Sequence, residues 1–252
     1  MNGLSFEIAP PAVAADPNRV DVACFVGYVG RRSTPLPANV RAPLAAAGWI
    51  GGPWARPAEE IDALLQVPVV VESWNAFAAL YAWDARPVGR GTRSCASYLG
   101  AAVRAFFANG GRRAVIVRCG DPWPYLEAAG VRATERAARL VALLAPAATP
   151  LDPTTWRGIG HLAGVPEVTF VCLPDLADIC AAEPAIVEVA VEPPDSPEVF
   201  VECSVDTAPA VEEDVGLRDL APPRADDDGF IAWRDALGSA HEQLARRHRE
   251  ML

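Results

Sequence analysis

The stretch 97–118, SYLGAAVRAFFANGGRRAVIVR, constrains the fold more than any other, because it specifies a helix, its stop and a buried strand in one run. Tyr98, Ala102 and Phe106 recur every four residues, and Leu99, Val103 and Phe107 repeat that spacing one position later. Such paired ridges form the broad apolar stripe of a helix packed on a core, with Arg104 and Asn109 off the stripe. Asn109-Gly110-Gly111 then ends the helix, since glycine takes up the left-handed conformation of a C-cap without a Cβ clash. Ala114, Val115, Ile116 and Val117 follow as a branched run suited to a sheet interior. A helix feeding directly into a buried strand is half of an α/β unit, and the predicted fold class is α/β, a mixed sheet with flanking helices.

Other segments supply the remaining layers. Residues 20–29, VDVACFVGYV, read as a strand punctuated by Gly27 and Gly30, and 67–71, VPVVV, as a second strand. Ser73 is placed to cap a helix through Trp74, Phe77, Leu80 and Tyr81. The interval 31–57 holds five prolines, three glycines, Trp49 and Trp54, which predicts an irregular surface excursion with aromatic anchors. Residues 134–144 predict a helix with Ala137, Leu140, Val141 and Leu144 on one side, 156–162 a shorter one, and VTFVCL at 168–173 a buried strand. Residues 186–191 and 199–205 have strand character around the turn-forming PPDSP, as in a half-exposed hairpin. The organisation expected is an extended arm over 1–19, an α/β core over 20–182, an acidic hairpin and linker over 183–228, and a terminal helix over 229–252.

The formal charge of −10 is concentrated in 183–228, where 14 acidic residues face two arginines and leave the rest of the chain at +2. That distribution argues against a nucleic-acid binder, which needs clustered positive charge to displace counterions. No run approaches the ~20 apolar residues of a membrane span. The N-terminus lacks the pattern of a secretory signal, so a soluble cytoplasmic protein is expected. The six cysteines show no CxxC pair and read as buried free thiols.

Candidate chemistry is sparse. Cys119, His161 and Asp121 assemble a Cys-His-Asp hydrolase on paper, but no nucleophile elbow or glycine-rich oxyanion loop accompanies them. His241 and His248 lie two turns apart on the terminal helix, too far to share a metal. The glycines of FVGYVGRR lack the dinucleotide-binding spacing, and Arg112 and Arg113 read as cations at a helix C-terminus. No catalytic residue, cofactor or metal is therefore expected. The competing reading is a small-molecule enzyme whose site lies in the loop from Cys119 to Tyr125.

The succession VACFVGYV, VPVVVESWNAFAALYAW, YLGAAVRAFFANGGRRAVIVR and LAGVPEVTFVCLPDL resembles the sheath proteins of contractile phage tails and related injection systems, over residues 20–176. The resemblance implies a tail-sheath-like core with a structural, non-enzymatic role. Sheath subunits stack as a helical tube around an inner tube, and strands from extended termini complete a sheet in the next subunit. The arm over 1–19 is a candidate for such a strand. Sheath proteins usually continue past the helix matching 230–252, so the resemblance further implies one of three alternatives: a companion chain supplying the remainder, a shortened paralogue at a baseplate or cap, or a degenerate product. Phe230, Trp233, Leu237 and Leu244 share one face of the terminal helix and are the candidate partner-docking residues. Partners expected are further sheath-like subunits and an inner-tube or baseplate protein, within a cytoplasmic phage-tail-like particle.

Overall fold

The computed structural model describes residues 22–89, 92–125, 129–144, 152–181 and 227–250. The chain opens with β1 (Val22–Tyr28) and β2 (Gly30–Arg31), then α1 (Ala38–Ala46), α2 (Ala58–Asp62), β3 (Pro68–Val71) and α3 (Trp74–Leu80). Three short strands follow, β4 (Tyr81–Ala82), β5 (Arg86–Pro87) and β6 (Ser94–Cys95), before α4 (Tyr98–Ala108) and β7 (Arg113–Gly120). The second half holds α5 (Ala129–Leu144), 3₁₀ turns at Pro153–Thr155 and Gly158–Gly164, β8 (Phe170–Cys172), α6 (Leu176–Cys180) and α7 (Asp227–Glu250). The expected arm, and the expected hairpin at 186–191 and 199–205, lie outside the described residues.

The main sheet has the order β3-β7-β1-β8, with β1 parallel to both β7 and β8 and β3 antiparallel to β7. It is the mixed sheet expected for an α/β chain. Because side chains alternate across a strand, β1 sends Ala23 and Phe25 to one face and Val22, Cys24, Val26 and Tyr28 to the other. The first face packs against Val40 and Leu44 of α1, Phe77 and Leu80 of α3, and Leu99 and Val103 of α4. The second face takes Leu143 and Leu144 of α5, Ile159 and Leu162 of the second 3₁₀ turn, Ile179 of α6, and Ala236 and Ala240 of α7. The sheet is thereby covered on both sides, as strands apolar on both faces require.

The helix and strand at 97–118 form as the sequence dictates. Ser97 Oγ accepts the Gly100 amide at 3.2 Å, and the helix ends with the Gly111 amide donating to the Phe106 carbonyl at 2.9 Å and Gly110 to Phe107 at 3.2 Å. That is a Schellman motif, with Gly110 at a φ of +89°. Ser73 likewise accepts the Ala76 amide at 3.2 Å and starts α3. Arg113, expected as a helix-terminal cation, instead lies in β7 with its guanidinium 3.5 Å from Glu167.

Two expectations need correction. Residues 31–57 are not wholly irregular, for α1 forms within them, burying Val40 and Leu44 one turn apart while Pro43 stays exposed. The strand at 168–173 shortens to β8, which among the described residues is an edge rather than a buried strand, and Phe170 is 38% exposed. Within the former excursion, Trp49 serves as the expected anchor, buried against Trp156 at 6.4 Å between ring centres.

Candidate functional site

In open α/β sheets a ligand site lies outside the carboxyl ends of the parallel strands. Here β1 ends at Tyr28, β7 at Gly120 and β8 at Cys172, with Tyr28 registered on Gly120 across a bulge between Gly27 and Tyr28. The loop from Asp121 to Tyr125 leaves β7 at this end, and the turn Pro174-Asp175 leaves β8. Arg86 arrives from β5, and Arg132 and Arg139 arrive from α5.

These residues converge on one carboxylate. Asp178 accepts from Arg86 Nη2 at 2.8 Å, Trp123 Nε1 at 2.7 Å, and Arg132 Nη1 and Nη2 at 3.3 and 3.4 Å. Arg86 also donates to the Trp123 carbonyl at 3.0 Å, and Arg132 to the Tyr125 carbonyl at 2.9 Å. Aromatic faces cover the guanidinium groups: Arg86 lies 4.9 Å from the Tyr98 ring centre, Arg132 lies 4.6 Å from Trp123, and Arg139 lies 4.8 Å from Tyr28. Asp178, Arg86 and Arg132 are all buried, so a single negative charge is shared by two positive ones in a desolvated setting.

A second carboxylate sits beside the first. Asp175 Oδ2 accepts the Tyr28 amide at 2.8 Å. The approach is close enough that a Cβ on Gly27 would collide with that oxygen. Burial is the main reason the Asp175 carboxyl is pushed up to about 7, with the Tyr28 amide and Arg86 opposing the rise. Burial likewise pushes the Cys119 thiol up to about 12, so it is protonated at neutral pH and a poor nucleophile.

The space left at this end is small. Tyr28, Arg86, Pro122, Trp123, Arg139, Asp175, Asp178 and Ile179 enclose a cavity of about 10 Å³, room for one water molecule. Asp178 has its lone pairs taken by guanidinium and indole donors, and Asp175, although tuned near neutrality, faces no cleft that admits a substrate. Among the described residues the cluster can therefore tie β5, the 121–125 loop, α5 and α6 together, and it presents no open binding site.

The sequence-derived hydrolase residues are not brought together. Cys119 is buried near Asp175 and Gln66. Asp121 has a side chain 76% exposed that pairs with Arg118. His161 is buried in a cage with Trp49 and Trp156 at 5.6 and 6.2 Å between ring centres. Burial, with help from Arg56 and Arg157, lowers its pKa to about 3, so the ring is neutral. His241 is exposed on α7, and no group of potential metal ligands occurs among the described residues.

Of the docking candidates, Phe230, Trp233 and Leu237 are exposed on α7. Leu244 departs from that expectation, being half-buried against the second core layer beside Gln243, whose side-chain amide donates to the Leu144 carbonyl at 2.6 Å.

The larger concavities lie elsewhere, at the two edges of the sheet. A groove of about 310 Å³ runs beside β3, lined by Val40, Leu44, Trp49, Trp54 and Trp156 and by three consecutive strand residues, Pro68, Val69 and Val70. Consecutive residues point to opposite faces, so a groove touching all three follows the strand edge. An open groove of about 600 Å³ borders β8, lined by Phe25, Phe106, Phe170 and Cys172 and by Gly110 and Gly111. No helix among the described residues is long and apolar enough to cross a membrane.

No protein-family model matches the sequence, and a comparison with curated proteins gives no match.

Proposed function

We propose that this chain is a structural subunit of a contractile, phage-tail-like injection apparatus, resembling its sheath, that works by protein contacts and not by catalysis. Its place is around an inner tube or at the baseplate or cap, beside further copies of itself or a companion chain. The observation carrying this reading is where space lies among the described residues: apolar grooves follow both outer strands of the described sheet, while the strand ends where an α/β enzyme keeps its site are filled by Trp123 and two buried arginines. Strand edges bordered by apolar surface suit the addition of a strand from a neighbour, since main-chain hydrogen bonds set register and side-chain grooves set specificity. The resemblance in sequence supports the same reading, because its four segments contribute all four strands of one sheet.

The test is sedimentation velocity with electron microscopy on the full chain, alone and mixed with the products of adjacent genes. Rings, tubes or a defined co-complex are expected. Val70→Glu and Phe170→Glu, one at each edge, should block assembly while the thermal midpoint stays within a few degrees, since both residues are more than a third exposed. A chain that stays monomeric with every neighbour defeats the proposal.

A further inference from the structure

Asp175 is placed unlike any other acidic group described. It occupies the N-cap position of α6, yet its side chain makes no capping bond to that helix and reaches across to the Tyr28 amide of β1. The notch that receives it exists because residue 27 is glycine, at the point where the β1–β7 register shifts past the extra residue Cys119 of β7. One turn further on, Asp178 takes the ion pairs of both Arg86 and Arg132, and among the described residues Asp175 has no guanidinium within ion-pair distance. A buried carboxylate in contact with a backbone amide and lacking a counter-ion is held at a cost when ionised and without that cost when protonated.

We propose that the turn carrying Asp175 is a proton-operated latch: protonated, it seats α6 and the end of β8 against β1 at Gly27 and Tyr28, and ionised, it lets that turn open. The groups facing Asp175 fix the direction. Arg86 from β5 and Arg139 from α5 favour the ionised form. The Tyr28 amide of β1 also favours it, whereas desolvation, which dominates, and Asp178 on α6 oppose it; the Tyr28 phenol, Cys119 on β7 and Cys172 on β8 face the same carboxyl but are held protonated by burial and add no charge near neutrality. The folded-state pKa of about 7 lies above the ordinary 3.8, so the stabilisation is fully present below about pH 4 and is lost as pH rises through neutrality. The turn leads directly out of β8, so its opening changes how β8 and its groove are held. This inference goes beyond the assembly reading without resting on it.

The experiment is amide hydrogen exchange on the full chain, comparing wild type with Asp175→Asn at each pH so that the intrinsic pH dependence of exchange cancels. In segments 26–30 and 173–181 the wild-type opening constant relative to the variant should grow by up to about tenfold per pH unit between about pH 4 and pH 7 and be level above about pH 8. A ratio that does not change between about pH 5 and pH 9 overturns the latch. Should Asp175→Asn fail to fold, infrared titration of the wild type decides. A protonated carboxyl band that disappears around neutrality, with the opening of 173–181 rising up to that pH and levelling off above it, supports the latch, and the lack of such a band or of that coincidence overturns it.

Discussion

Removing Asp178 would leave Arg86 and Arg132 facing each other without a counter-ion in a site closed to water, a worse state than having none of the three charges. Asp178→Ala is therefore expected to lower unfolding free energy by about 3–5 kcal/mol, and Asp178→Asn by less, because the amide oxygen can still accept from Trp123. Urea denaturation checks both; a loss under about 1 kcal/mol for the alanine variant would show that water enters and solvates the arginines. Gly27 makes a paired case. Gly27→Ala should cost about 1–3 kcal/mol by overpacking, and Asp175→Ala in the same chain should recover part of it, a coupling a double-mutant cycle reads directly. Neither role was legible in the sequence. Arg86 and Asp178 stand 92 residues apart and Arg132 and Asp178 stand 46 apart, so no local pattern joins them. The spacing around Gly27 matches no phosphate-loop pattern, and the reason for glycine there is a carboxylate 148 positions further along the chain.

At the scale of elements, what could be read depended on whether the determinants were local. The unit of α4 and β7 was legible because cap, stripe, stop and branched run all lie within one stretch. Gly110 tests that locality: Gly110→Ala must hold a left-handed residue at a φ of +89° and should cost about 1–2 kcal/mol, although nothing lies within 4 Å of the added methyl. A thermal-denaturation series with Gly110→Asn, which tolerates that conformation better, should rank glycine, asparagine, alanine in falling stability. Another order would place the helix stop elsewhere. By contrast α1 was hidden. It has no side-chain cap, contains Pro43 and has little amphipathic contrast, and it forms because Val40 and Leu44 bury themselves against the sheet. The edge position of β8 was hidden too, because an apolar run such as VTFVCL fits a central or an outer strand equally well, and only pairing decides.

Across the whole molecule, two buried titratable groups pull stability in opposite directions with pH. His161 is kept neutral, its pKa lowered from 6.5 to about 3, so its contribution is complete above about pH 6.5 and is lost as pH falls toward 3. Asp175 is kept protonated, its pKa raised from 3.8 to about 7, so its contribution is complete at low pH and is lost as pH rises through 7. Between about pH 4 and pH 6.5 the unfolded chain takes up a proton at His161 with acidification while the unfolded Asp175 has already released its own, and the two slopes, each at most about 1.4 kcal/mol per pH unit, oppose each other. Chemical denaturation of wild type, His161→Leu and Asp175→Asn across this range separates them. Subtracting the His161→Leu curve from the wild-type curve should leave a difference that falls on acidification, and subtracting the Asp175→Asn curve should leave one that rises. Difference curves of the same sign, or level ones, would mean that one group reaches water in the folded state. The one whose curve is level would be identified as the solvated group, and for Asp175 that outcome would remove the latch as well, since a carboxylate already in contact with water gains nothing from opening.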